Sequence, residues 1–176
     1  NNSNAGKYLS ILNIDSFDHN EIENSIEKVI NSYAVKGSSN NQNQIIIQKM
    51  ISNISMSGVT LTHDMNTGAP YYVINYDDIS GNTDTVTSGL NEYSNRTLFI
   101  YREKINEIRS DRFRLLINAV KELESITKNN YLDIEFAISK KGEAVLFQVR
   151  DIATKKEWDD SSNYKFKNLI DNTKIF

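Results

Sequence analysis

The sequence contains no cysteine, a single proline and only two histidines among its 176 residues. Without cysteine the chain can form no disulfide, no thiol nucleophile and no cysteine-ligated zinc site. His19 and His63 lie far apart in the sequence, which leaves little material for a histidine-based metal site or a Ser-His-Asp triad. We interpret both histidines as surface or helix-capping residues rather than as carriers of a phosphoryl group.

The sequence also lacks an excess of positive charge and a long apolar run. Twenty Lys and Arg residues stand against twenty-three Asp and Glu residues, so the formal net charge is -3. No global positive field therefore attracts nucleic acid or an anionic membrane. No apolar run approaches the roughly 20 residues of a membrane span. We expect a cytoplasmic protein with no nucleic-acid partner and no membrane partner.

The length and composition are those of one globular domain. Hydrophobic residues make up 39% and charged residues 24% of the sequence, which is typical of chains that bury a core. The chain begins with Asn1 rather than Met and reaches a motif-like stretch within a few residues, so we expect a piece of a longer polypeptide. We assign residues 1–152 to the folded domain and 153–176 to a linker or the start of a further region.

Hydrophobic periodicity indicates an α+β fold. Apolar residues at helical spacing predict amphipathic helices over 19–34 and 110–127. Alternation and turn residues predict strands, and the β-branched run Ile45–Ile47 adds a central one; together the predicted strands are 44–51, 57–64, 70–76, 97–102, 131–139 and 143–150. The expected fold is a mainly antiparallel sheet packed with two long helices.

The predicted hairpin over 131–150 carries polar side chains on one face. Side chains alternate along a strand, so a four-residue turn that sets Ser139 opposite Ala144 also sets Glu135 opposite Gln148. Opposing Cβ atoms are about 5 Å apart, which brings their polar groups within reach of one ligand.

The same register sets Asp133 opposite Arg150. Two carboxylates, an amide oxygen and a guanidinium suit a magnesium–polyphosphate complex, since Mg²⁺ takes oxygen ligands beside phosphate and arginine binds phosphate with two hydrogen bonds. The alternative is a solvated hairpin face with two cross-strand polar pairs, each contributing well under ~1 kcal/mol.

Four stretches, in the same order, resemble the amino-terminal ATP-binding domain of phosphoenolpyruvate synthase and pyruvate phosphate dikinase. They are AGKYLSILNI (5–14), IIIQKMI (45–51), SGVTLTHDMNTG (57–68) and LDIEFAISKKGEAVLFQVRDI (132–152). The resemblance implies an ATP-grasp fold, in which ATP lies between two lobes. It further implies that the terminal phosphates pass to a histidine on a separate domain, and that this chain is the second lobe.

The resemblance also implies roles for particular residues. Glu135 and Gln148 match residues that hold Mg²⁺ and the phosphates, and Arg150 matches the catalytic arginine that grips the phosphates. Gln48, Met50 and Ile51 match the strand that meets the adenine of the nucleotide. Asp133 matches an acidic position near the Mg²⁺ and the phosphates, and Asp84 matches an acidic residue that follows a glycine. ATP and Mg²⁺ are the implied cofactors.

The departures from the family pattern concern the part of the site that would face the phosphoryl acceptor. Leu61 stands where the family usually has phenylalanine, Met65 where it often has proline, and ISGNTDT (79–85) replaces its glycine-rich loop. We interpret the chain as part of a dikinase-type phosphotransferase. This part would be inactive without the first lobe and the phosphohistidine domain. The alternatives are a diverged member that phosphorylates an antibiotic or an amide group, and a non-catalytic ATP-grasp-like interaction domain.

Overall fold

The computed structural model describes residues 9–35, 42–80 and 96–152, together with positions 165, 168 and 169. The chain divides into two compact units, Asn1–Ile51 and Ser52–Phe176. Asp84 and nearly all of the predicted linker over 153–176 lie outside the described residues.

In the unit Asn1–Ile51, helix α1 spans His19–Val35 and confirms the helix predicted over 19–34. Its start is capped by the Asp18 carboxylate, which accepts hydrogen bonds from the backbone amides of Asn20 and Glu21 at 2.9 and 3.0 Å. The Glu21 carboxylate in turn accepts a bond from the backbone amide of Asp15 at 3.0 Å. Asp18 and Glu21 are therefore the capping residues of α1.

The strand predicted over 44–51 is wrong. Residues 43–52 adopt neither helix nor strand, and the side chains of Ile46 and Ile47 are 82% and 72% exposed. A β-branched run favours an extended backbone, but a strand also needs a neighbour to bond its amides and carbonyls. Among the described residues no strand pairs with this segment.

The unit Ser52–Phe176 contains a five-stranded antiparallel sheet in the order β3-β2-β1-β4-β5. Its elements, in chain order, are β1 Ile54–Leu61, β2 Tyr71–Asp77, β3 Arg96–Tyr101, a 3-10 helix Arg102–Glu107, α2 Asp111–Thr127, β4 Leu132–Ser139 and β5 Ala144–Asp151. The sheet confirms the predicted α+β class. In the described part of the chain, no helix is both long and apolar enough to cross a membrane.

The core lies between α2 and one face of the sheet. From α2 the buried residues Phe113, Leu116, Ile117 and Val120 recur at helical spacing. The sheet contributes alternate residues from four strands: Met56, Tyr72, Ile74, Tyr76, Ile100, Leu132, Ile134, Phe136 and Ile138. This packing confirms the apolar stripe predicted for the second helix.

Gly58 lets β1 and β2 approach closely at the centre of the sheet. It pairs with Tyr76 on β2 and with Phe136 on β4. A Cβ atom at this position would lie 2.0 Å from the backbone oxygen of Asn75. Only glycine fits here without moving the β2 backbone.

The hairpin of β4 and β5 contains one extra residue on β5. Ile138 pairs with Ala144 and Phe136 with Leu146, whereas Glu135 pairs with Gln148, so Phe147 is a β-bulge. The predicted pairing of Ser139 with Ala144 is therefore wrong, while the Glu135–Gln148 pairing is confirmed. The bulge also turns Leu146 toward the core, although strict alternation would place it on the same face as Gln148.

Candidate functional site

The side of the sheet that α2 does not cover, here called the second face, carries the predicted polar cluster. Because paired residues share a face, the register defines two neighbouring rows of side chains across all five strands. One row is Phe99, Val73, Leu61, Asp133 and Arg150, and the other is Thr97, Asn75, Val59, Glu135 and Gln148. The structure thus brings Asp133, Glu135, Gln148 and Arg150 together on β4 and β5.

Arg150 contacts both carboxylates of this polar cluster. Its Nε lies 2.7 Å from Oδ2 of Asp133 and donates a hydrogen bond to it. Its Nη2 lies 3.8 Å from Oε1 of Glu135. The Arg150, Asp133 and Glu135 side chains are 30%, 16% and 24% exposed, so the cluster is only partly open to water.

Partial burial changes the electrostatics of Glu135. Burial raises the pKa of its carboxyl above the ordinary value, the Arg150 guanidinium opposes this rise, and the Asp133 carboxylate adds to it. One arginine therefore only partly compensates two carboxylates. A ligand that brings additional positive charge would relieve the remaining repulsion.

Glu135 and Gln148 present oxygen donors of the kind that Mg²⁺ prefers. They are direct cross-strand partners, and Gln148 is exposed. Mg²⁺ is commonly held by one or two carboxylates together with water and substrate phosphates rather than by a complete protein cage. The part of the chain that the structure describes has no group of three or more His, Asp and Glu side chains that could hold a metal. Glu135 and Gln148 would supply two oxygen ligands to Mg²⁺ and leave its other positions to water and phosphate.

On β1, β2 and β3 the row of Asp133 consists of apolar residues. Val73 is buried, Leu61 is half-buried and Phe99 on β3 is 55% exposed. The Tyr71 ring packs against Phe99, with 6.4 Å between ring centroids, and against Tyr101, with 5.4 Å. Charged and apolar side chains thus follow one another within this row.

Two polar residues on the second face were not assigned from the sequence. Asn75 and Thr97 lie in the row of Glu135 and Gln148, and the Thr97 hydroxyl donates a hydrogen bond to Oδ1 of Asn75 at 2.8 Å. Alternation along β2 and β3 predicts which residues of the same strand share a face with Asn75 or with Thr97. Their alignment with Glu135 depends on the pairing of β1 with both neighbours, which the sequence does not display.

The remaining predicted site residues come from other parts of the sequence. Gln48, Met50 and Ile51 belong to the unit Asn1–Ile51, in the segment that forms no strand. Gln48 is exposed, Met50 is 42% exposed and Ile51 is half-buried. Asp84 lies outside the described residues, so its predicted role stays a prediction.

His63 is buried, which corrects its interpretation as a surface or capping residue. Its side chain is 4% exposed, its ring lies 4.5 Å from that of Tyr131, and its Nδ1 is 3.0 Å from the backbone oxygen of Asn130. Burial and the charge of Arg102 lower the pKa of His63 to about 4, although the hydrogen bond to Asn130 opposes this shift. His63 is therefore neutral at pH 7. His19 is exposed at the first position of α1.

No model of a known protein family, no curated protein and no solved structure matches the chain.

Proposed function

We propose that this chain is the ATP- and Mg²⁺-binding part of a dikinase-type phosphotransferase, with an ATP-grasp-like arrangement. In the complete enzyme the terminal phosphates of ATP would pass to a carrier histidine on another domain, with AMP as the leaving group. One phosphoryl group would then pass from this histidine to an acceptor, and water would take the other. We place the enzyme in the cytoplasm, where ATP and Mg²⁺ are available. The chain on its own would bind nucleotide without turning it over.

One observation carries the proposal: Asp133, Glu135, Gln148 and Arg150 occupy adjacent rows on the same face of two neighbouring strands. Phosphoryl transfer depends mainly on positioning and on neutralising phosphate charge, and arginine with Mg²⁺ supplies both. Glu135 and Gln148 would hold the magnesium ion, which neutralises phosphate charge when bound. Arg150 would contact the phosphate oxygens.

A second candidate is a non-catalytic interaction domain. The hydrogen bond of 2.7 Å between Arg150 and Asp133 favours it, because this ion pair balances the charge of the arginine without a ligand. The polar cluster would then be a cross-strand ion pair that contributes little to binding or stability.

Titration of the isotope-labelled chain with ATP in excess Mg²⁺, followed by nuclear magnetic resonance, distinguishes the two candidates. We expect the amide signals of Glu135, Gln148 and Arg150 to shift with Mg²⁺-ATP and to shift much less when the Mg²⁺ is chelated. Glu135→Gln and Arg150→Gln should each weaken binding by at least about tenfold, since each removes a charged contact to the ligand.

Glu143→Gln is the matched control, because Glu143 is an exposed carboxylate in the turn of the same hairpin. Its affinity for Mg²⁺-ATP should equal that of the wild-type chain. An absence of shifts, or equal shifts with and without Mg²⁺, would contradict the proposed function and favour the interaction domain.

A further inference from the structure

Arg150 is held by the base of its guanidinium group. The hydrogen bond to Asp133 uses Nε, the nitrogen nearest the side-chain stem. An arginine bound in this way keeps its two terminal nitrogens for other partners. One of them, Nη2, lies on the side of Glu135 at 3.8 Å from Oε1. The contact therefore fixes the orientation of the group and leaves its phosphate-binding end open.

One carboxylate oxygen of Asp133 is bonded to Arg150 and the other is buried. Its Oδ2 accepts the bond from Arg150, and its Oδ1 is buried, with no hydrogen-bond partner in the described part of the chain. Its neighbour on the β1 side is the apolar Leu61. A metal ion that approached Oδ2 would compete with the guanidinium of Arg150 for this oxygen. Glu135 and Gln148, by contrast, remain reachable from the second face.

We propose that Asp133 is a positioning residue, which orients the guanidinium of Arg150 toward the ligand and does not contact Mg²⁺ or phosphate. This role rests on the proposed function and refines the sequence-based assignment of Asp133 to nucleotide binding. Asp133 acts on binding only through Arg150. The buried, unpartnered Oδ1 raises the cost of burying this carboxylate, and the hydrogen bond from Arg150 offsets part of that cost.

A thermodynamic cycle tests this dependence. The affinity for Mg²⁺-ATP is measured by calorimetry on the wild-type chain, Asp133→Asn, Arg150→Gln and the double variant, after circular dichroism has shown that each is folded. Asp133→Asn should weaken binding by about tenfold when Arg150 is present and by less than about twofold in the Arg150→Gln background. Asp151→Asn is the control and should not change the affinity, because Asp151 is exposed and bonds Asn129.

Each outcome of the cycle has a distinct meaning. Equal losses from Asp133→Asn in both backgrounds would mean that Asp133 contacts the ligand directly, which overturns the positioning role and leaves the proposed function standing. A wild-type chain that does not bind Mg²⁺-ATP would overturn the proposed function, and the positioning role with it.

A second measurement needs no ligand. The Nε proton of Arg150 should exchange with water at least about tenfold faster in Asp133→Asn than in the wild-type chain, because the neutral amide accepts a weaker hydrogen bond. Asp151→Asn should leave this rate unchanged. Equal exchange rates in the wild-type chain and Asp133→Asn would mean that Asp133 does not hold the guanidinium.

Discussion

Two threonines, Thr60 within β1 and Thr62 just after it, are both completely buried but differ in their hydrogen bonds. The Thr62 hydroxyl donates to the backbone oxygen of Asn130 at 2.6 Å and accepts from the backbone amide of Leu132 at 2.7 Å. The Thr60 hydroxyl has no hydrogen-bond partner in the described part of the chain. The pair therefore allows the same substitution to be compared with and without the loss of hydrogen bonds.

Replacing each threonine by valine should lower the free energy of unfolding at position 62 but not at position 60. Thr62→Val leaves the amide of Leu132 buried without an acceptor and should lower the free energy of unfolding by about 1–3 kcal/mol. Thr60→Val removes a buried hydroxyl that makes no bond, so stability should stay the same or rise by up to about 1 kcal/mol. Urea unfolding of both variants checks this. Equal destabilisation would mean that the Thr60 hydroxyl has a partner in solution.

At the scale of elements, α2 is joined to the sheet by a buried polar network as well as by apolar packing. Glu124 on α2 accepts hydrogen bonds from Arg102, at the start of the 3-10 helix, at 2.6 Å and from the Tyr72 hydroxyl on β2 at 3.0 Å. Arg102 also donates to the backbone oxygen of Thr62 at 3.1 Å, and its guanidinium carbon lies 4.5 Å from the Tyr72 ring centroid. Three elements therefore depend on one ion pair.

Removing one partner of this ion pair should be more harmful than neutralising both. Arg102→Met leaves the carboxylate of Glu124 buried and unpaired, and should lower the free energy of unfolding by about 3–5 kcal/mol. Adding Glu124→Gln to Arg102→Met should restore part of this loss, because the glutamine oxygen can still accept from Tyr72. Chemical denaturation of both variants is the measurement. A double variant less stable than Arg102→Met alone would contradict this account.

Elements defined by local patterns could be predicted from the sequence, whereas those that depend on distant partners could not. The spacing of Phe113, Leu116 and Val120 defines α2, and the capping residues define the start of α1, because both signals lie within a few residues. The run Ile45–Ile47 has the composition of a strand, but no strand pairs with it in the described part of the chain.

The same limit applies to the candidate site. Alternation correctly placed Asp133 and Glu135 on one face, and the Glu135–Gln148 and Asp133–Arg150 pairings are confirmed. A rule of strict alternation does not reveal the bulge at Phe147 and would place Leu146 on the face of Gln148 rather than in the core. The buried ion pair of Arg102 and Glu124 was missed because single charged residues in a sequence resemble solvated surface positions.

At the scale of the whole molecule, buried His63 should make stability depend on pH. Its pKa is about 4 in the folded chain and near 6.5 when unfolded, so between these values the unfolded chain binds the proton and the folded chain does not. The free energy of unfolding should therefore fall as pH decreases from about 6.5 to about 4, by up to about 3 kcal/mol from this residue.

Denaturation of the wild-type chain, His63→Gln and His19→Gln across this pH range isolates the contribution of His63. His63→Gln should show a shallower loss of stability on acidification, and His19→Gln should follow the wild-type chain because His19 is exposed. Identical slopes for His63→Gln and the wild-type chain would show that the imidazole does not become harder to protonate on folding.

The bulge at Phe147 has a consequence for how the hairpin tolerates changes in length. Because β5 carries one residue more than a regular ladder needs, loss of a single residue between the turn and Gln148 could be absorbed by straightening the strand. Gln148 and Arg150 would then still lie across from Glu135 and Asp133. Loss of Phe147 itself would also keep Leu146 in the core. The hairpin can therefore lose one residue on the turn side of Gln148, and the polar side chains on the other side would keep their pairing.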